Sequence, residues 1–117
     1  MAKHGVTEFL SAFRDTTVRF ADHETDLWIE LDANGCIQRV WPGFTRALGY
    51  AEANILGRPI IDLIDIDTLA MFIKSFGWYD RPYPAFRMMH RGGGLVKVRM
   101  EWYEFMSDCC RIILRVV

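Results

Sequence analysis

Positive charge is not in excess in this sequence. Its 117 residues carry 14 Lys and Arg against 15 Asp and Glu, a formal net charge of -1. General binding to nucleic acid needs a basic surplus that neutralises phosphates, so the balance argues against it. No apolar run approaches the length of a membrane helix, and no signal peptide is visible over Met1 to Ser11. A cytoplasmic location is the expectation that follows. Cysteine is scarce: Cys36, Cys109 and Cys110 form no C-x-x-C and no zinc spacing, and read as reduced, structural thiols. Neighbouring strand residues point to opposite faces, so Cys109 and Cys110 are poorly placed to share a metal. Gly92-Gly93-Gly94 ahead of Lys97 lacks the G-x-x-x-x-G-K spacing of a phosphate loop and reads as a turn. Asp62, Asp65 and Asp67 have no EF-hand spacing after them, and helix capping accounts for at least one. No nucleophile–base set, repeat, low-complexity tract or linker is present.

What is present is an ordinary globular composition, with 51% hydrophobic and 25% charged residues. The length fits one domain, in which roughly two-thirds of the unfolded surface becomes buried. Val6 to Phe20 has helical periodicity, with Val6, Phe9, Leu10, Phe13 and Phe20 along one face. Such an aromatic stripe needs a surface to cover, either this domain's own sheet or a second copy. After a polar connector to Thr25, Leu27, Ile29 and Leu31 alternate with Trp28 and Glu30 as a strand. Asn34-Gly35 is suited to a two-residue hairpin turn, and Cys36 to Trp41 supplies the returning strand. Pro42 opens a short helix to Leu48, and a second short helix runs over Ala51 to Leu56. Gly49 and Gly57 are placed to cap them.

A connecting segment over Arg58 to Asp65 leads to a longer helix over Asp67 to Phe76, which Asp65 or Asp67 can cap. Ala85 to His90, Leu95 to Phe105 and the C-terminal stretch read as three strands joined by tight turns, hence antiparallel neighbours. In the long strand, Val96, Val98, Met100 and Trp102 alternate with Lys97, Arg99, Glu101 and Tyr103, which predicts one apolar face ending in Trp102. The expected fold is α+β: a five-stranded antiparallel sheet with short helices on one face, preceded by an amphipathic N-terminal helix. Residues 1–25 form the leading helix and connector in this reading, and residues 26–117 the sheet domain.

Asp32-Ala-Asn-Gly-Cys-Ile, then Phe44-Thr-Arg-Ala-Leu-Gly-Tyr, then Ile55-Leu-Gly-Arg-Pro, then Ile61-Asp-Leu-Ile together resemble the signature of a PAS domain. His90-Arg-Gly-Gly-Gly before a long strand resembles that family's later hairpin. The resemblance covers about Asp26 to Val117. It implies a sensory or interaction module of signal transduction, with a pocket between sheet and middle helices and dimers formed through the leading helix. It also implies control of a kinase, cyclase or transcription output, and the sequence reads as a fragment of such a regulator, with a free-standing protein as the alternative. Trp41 stands where the family often has Asn, and an indole cannot reproduce an amide's paired donor and acceptor.

The pocket expected on this basis involves Trp41, Phe44, Leu48, Ile55, Phe72, Ile73, Met88, Met100 and Trp102, with Arg58 or Arg87 meeting an anionic group. The dimer face expected combines Val6, Phe9, Leu10, Phe13 and Phe20 with Trp28 and Ile113. No cofactor is preferred. Haem-binding relatives offer a histidine from the longer middle helix, whereas His4, His23 and His90 all lie elsewhere. A cysteinyl-flavin photocycle is disfavoured because no cysteine lies between Cys36 and Cys109. Non-covalent flavin stays open, since Trp41, Phe44, Phe72 and Trp102 offer flat apolar walls. The rival class is a small cone-shaped α+β enzyme or carrier, like the ketosteroid isomerases, using a carboxylate in an apolar cavity as base. A carboxyl group strongly raised in pKa inside a cavity would favour that rival.

Overall fold

The computed structural model describes residues 26–78 and 82–117, so the expected leading helix, with Val6, Phe9, Leu10, Phe13 and Phe20, lies outside the described residues. Five strands form one antiparallel sheet: β1 (Leu27–Asp32), β2 (Ile37–Val40), β3 (Ala85–Met89), β4 (Leu95–Phe105) and β5 (Cys109–Val116). Their order across the sheet is β2-β1-β5-β4-β3, which puts the first and last strands side by side at the centre. Between β2 and β3 run α1 (Pro42–Leu48), α2 (Glu52–Ile55), two 3₁₀ turns (Ile60–Leu63 and Ile66–Thr68) and α3 (Leu69–Ser75).

The expected two-residue turn at Asn34-Gly35 is instead a three-residue loop. The Gly35 amide donates to the Asp32 carbonyl at 3.0 Å, and the Asp32 amide donates to the Cys36 carbonyl at 2.8 Å. Within this loop Gly35 alone adopts a positive φ, of 80°. The Asp32 side chain decides the difference: its Oδ1 accepts from the Asn34 amide at 2.8 Å and from the Cys36 amide at 2.9 Å. A carboxylate bonded to two amides holds a wider loop than two positive-φ residues would. The expected helix over Asp67 to Phe76 also divides. Asp65 caps a 3₁₀ turn through the Asp67 amide, and the α-helix proper begins at Leu69.

The main core lies between the sheet and the helical segment. Leu27, Ile29, Ile112, Leu114, Val98, Met100, Phe86 and Met88 meet Phe44, Leu48, Ile55, Ile60, Leu63 and Phe72, all buried. Each such side chain contributes about 1.5–3 kcal/mol on leaving water, so this layer fixes the fold.

On β4 the alternation breaks. Met100 faces Leu114, but Trp102 faces Ile113, because Glu101 is an extra residue at a bulge. One extra residue inverts every later side chain. Trp102 therefore joins Trp28, Trp41 and Ile113 in a second cluster on the opposite face, while Tyr103 turns to the helix side. Around that second cluster lie ion pairs. Glu30 accepts from Gln38 Nε2 at 2.5 Å and from Arg111 Nε at 3.0 Å. Arg115 donates to both oxygens of Asp26 at 3.3 Å.

Both sheet edges are engaged by one stretch of chain. On β2, the Ile37 amide donates to the Arg58 carbonyl at 2.8 Å, and Gly57 donates back to the Ile37 carbonyl at 2.6 Å. On β3, the Asp65 amide donates to the Arg87 carbonyl at 2.8 Å, and the Arg87 amide donates to Thr68 Oγ1 at 2.9 Å. Strand edges left bare invite pairing with other chains, and these contacts shorten what is free.

Candidate functional site

A cleft of about 610 Å³ opens where the β1–β2 and β4–β5 turns meet the helical segment. Ligand sites commonly fall in this size range. Its walls are Leu31, Ile60, Ile61, Phe72, Ile73, Phe76, Phe105 and Cys110, and its rim includes Asp32, Asn34, Ser107 and Asp108. Phe105 is 65% exposed, Ile73 58% and Ile61 51%, an unusual concentration of open apolar surface at one place.

The rings of the aromatic wall pack on one another. Phe76 meets Phe72 and Tyr103 edge-on at 5.2 and 5.0 Å between ring centres, and Phe105 in a tilted arrangement at 5.5 Å. Phe72 reaches Phe86 on β3 at 5.2 Å, which ties the wall to the core. The Tyr103 hydroxyl accepts the Gly77 amide at 2.9 Å and so fixes the end of α3. The bulge at Glu101 makes this wall, since without it Tyr103 and Phe105 would face away from α3.

The thiols in the cleft are protonated groups. Burial pushes the Cys110 thiol up to about 11, with Cys109 and Glu104 adding to the effect. Burial also raises Cys109, with Glu30 and Asp108 adding to it. Such thiols make poor nucleophiles and poor metal ligands at neutral pH. Among the described residues no three His, Cys, Asp or Glu side chains converge on a metal position. His90 is held in the β3–β4 turn, where its Nδ1 accepts the Gly92 amide at 2.8 Å. Glu104 is raised by burial, with Arg111 opposing, but it faces Arg111 across the sheet pairing rather than the cleft.

The expected pocket residues separate into three places. Phe72 and Ile73 line the cleft. Phe44, Leu48, Ile55, Met88 and Met100 are fully buried in the main core, packed by one another. Trp41 and Trp102 lie across the sheet with Trp28 and Ile113, because of the bulge and because Trp41 follows Val40 on the alternate face of β2. Trp41, Phe44, Phe72 and Trp102 therefore enclose no common flat ligand. Arg58 and Arg87 do not line the cleft: Arg58 is exposed, and Arg87 is paired to Asp65 at 2.7 Å. Of the expected dimer face, Trp28 and Ile113 are both buried in the second cluster. The alternation of β4, taken as unbroken, hid Tyr103 and Phe105. The aromatics Phe76 and Phe105 at element ends are the sequence signal that could have found the cleft.

Two carboxylates stand at the rim of the cleft, and no Lys, Arg or His is among the described residues that line it.

With strand order, helical wrap and site in view, the chain has a PAS fold: a five-stranded antiparallel sheet carrying short helices on one face. The PAS domain of an HTR-like protein from Haloarcula marismortui is similar at a TM-score of 0.62 and 22% identity, over 94% of this chain and 98% of that one. A PAS domain from a two-component sensor histidine kinase is similar at 0.60 and 15%, over 94% and 99%. A fungal LOV domain photoreceptor is similar at 0.65 and 13%, over 100% and 92%. No protein-family model matches the chain, and no curated protein does. Among the described residues, no helix is long and apolar enough to cross a membrane.

Proposed function

We propose that the chain is a sensory domain of signal transduction. It binds a small molecule in the cleft and passes the change to an effector such as a kinase, cyclase or transcription regulator. The observation that carries this reading is the cleft itself: an open, largely apolar space bounded by α3 on one side and by the turns of central strands on the other. The fold of sensor-kinase and photoreceptor relatives supports the same class. The domain works without catalysis in this reading, by conformational change.

A signal shifts such a domain only if it binds two states unequally. The route available runs along β5. Cys110 lies at the cleft, and three residues on, Ile113 packs against Trp28 and Trp102 on the far face. Pressure on α3 or on the β4–β5 turn therefore reaches the second face through one strand. Hydrogen exchange with and without a cleft ligand tests this. Protection should change at Trp28 and Ile113 as well as at the cleft. Changes confined to the cleft would refute transmission.

The second face is also the proposed homodimer surface, completed by Val6, Phe9, Leu10, Phe13 and Phe20. Light scattering should report a dimer that becomes a folded monomer when Phe9 and Phe13 are replaced by Glu. A wild-type monomer at high concentration would end this part of the proposal.

A further inference from the structure

Resting on that reading of the cleft as a ligand site, we propose that its ligand is a small amphipathic organic cation, an ammonium group on an aromatic or branched apolar body. The apolar body is matched by the walls. Ile60, Ile61, Phe72, Ile73, Phe76 and Phe105 enclose a space of about 610 Å³, enough for a compact hydrophobic group. The charge is set by the rim.

Asp32 and Asp108 approach from the two hairpin turns, and no cationic side chain is among the described residues that line the cleft. The nearest strand cation in sequence, Arg111, is taken up by Glu30 on the other face at 3.0 Å. Asp32 is preorganised: its Oδ1 is held by two amides at 2.8 and 2.9 Å, which fixes the carboxylate while Oδ2 takes no hydrogen bond from a described residue. Phenylalanine rings in a cleft that two aspartates also line add cation–π attraction for an ammonium and offer nothing comparable to an anion.

One ion pair at a half-buried rim together with one aromatic contact favours the cation over its neutral analogue on the order of tenfold. The test is a nitrogen-edited NMR titration of the whole chain with three probes of one shape: naphthylethylamine, naphthylethanol and naphthylacetate. The amine should bind about tenfold more tightly than the alcohol, and the acetate most weakly. Shifts should centre on Ile61, Ile73, Phe105 and Asp108. In a D32N/D108N variant the preference for the amine over the alcohol should vanish. The carboxamide introduced by D32N keeps an oxygen for the two turn amides, and if the double variant unfolds, Asp108→Asn alone should at least halve the preference.

Equal binding of amine and alcohol, or stronger binding of the acetate, overturns the cationic class while leaving a ligand cleft in place. Cleft shifts that depend on protein concentration, with no probe binding, overturn the small-ligand site in favour of a second copy of the chain. Tight amine binding without exchange changes beyond the cleft would instead count against the sensory reading.

Discussion

Replacing Gly49 by Ala tests how the helical segment is fastened to the sheet. Gly49 ends α1 in the left-handed region at φ 80°, its amide donating to the Thr45 carbonyl at 2.8 Å. A Cβ there would sit 2.8 Å from His90 Cε1 and 3.0 Å from its Nε2. That imidazole is not free to swing, since its Nδ1 holds the Gly92 amide. The same turn is fixed by the Arg91 amide on the Leu48 carbonyl at 2.8 Å and by the Tyr50 hydroxyl on the Met89 carbonyl at 2.8 Å.

Gly57 provides the control: its φ is 86°, but an added Cβ would meet nothing within 4 Å. Left-handed backbone costs a non-glycine residue about 1–2 kcal/mol at either site. Gly49→Ala should add about 1 kcal/mol more, for a displaced ring and its lost hydrogen bond. Urea unfolding should therefore place Gly49→Ala below Gly57→Ala in stability. In a His90→Ala background the two penalties should converge. Equal penalties in the native background, or a Gly49 excess that survives His90→Ala, would refute the argument.

Three other outcomes follow from the same geometry. Cys110, raised to about 11, should hold roughly 100-fold less thiolate than an unperturbed thiol and should react correspondingly slowly with iodoacetamide in the folded protein at pH 8; labelling at the rate of a free thiol would contradict its burial. Glu104 is raised above its ordinary value, so the folded state binds its proton more tightly than the unfolded state does, and stability falls as pH rises from the unfolded value through the folded one. Glu104→Gln should therefore stabilise at pH 7 and be nearly neutral at pH 4, as read from thermal midpoints. Asp32→Ala removes two amide contacts and should cost about 1–3 kcal/mol in urea unfolding, whereas Asp32→Asn should cost less than half of that.

The fold was legible because its signals were local and mutually consistent. Pro42 and Gly49 bracket α1 where a helix-starting proline and a left-handed cap predict, and Leu95 to Phe105 is a strand over its full predicted length. The candidate site was less legible because it depends on parity. A single extra residue, Glu101, moves Trp102 off the helix face and brings Tyr103 and Phe105 onto it. Nothing in the alternation of Val96, Val98, Met100 and Trp102 announces that change. Asp32 read as a turn residue, and its type fits that. Its place at the rim of an aromatic-walled cleft appears only when the distant β4–β5 turn is folded next to it. Phe44, Leu48, Ile55, Met88 and Met100 show the same dependence on tertiary packing: an apolar residue on a short helix or strand reads alike whether it lines a pocket or is buried in the main core, where the structure places these five.

The stretch from Gly57 to Thr68 grips β2 with one end and β3 with the other, and these are the outermost strands. Five strands at ordinary spacing measure about 19 Å across. The stretch therefore acts as a buckle whose length is matched to the girth of the sheet. Adding or deleting a residue between the two grips cannot be absorbed locally: slack or tension reaches both margins together. Ile60 and Ile61, which wall the cleft, sit on this buckle between its two fastenings. On the proposed sensory reading, a molecule wedged against them would load both margins of the sheet at once, as a change in girth.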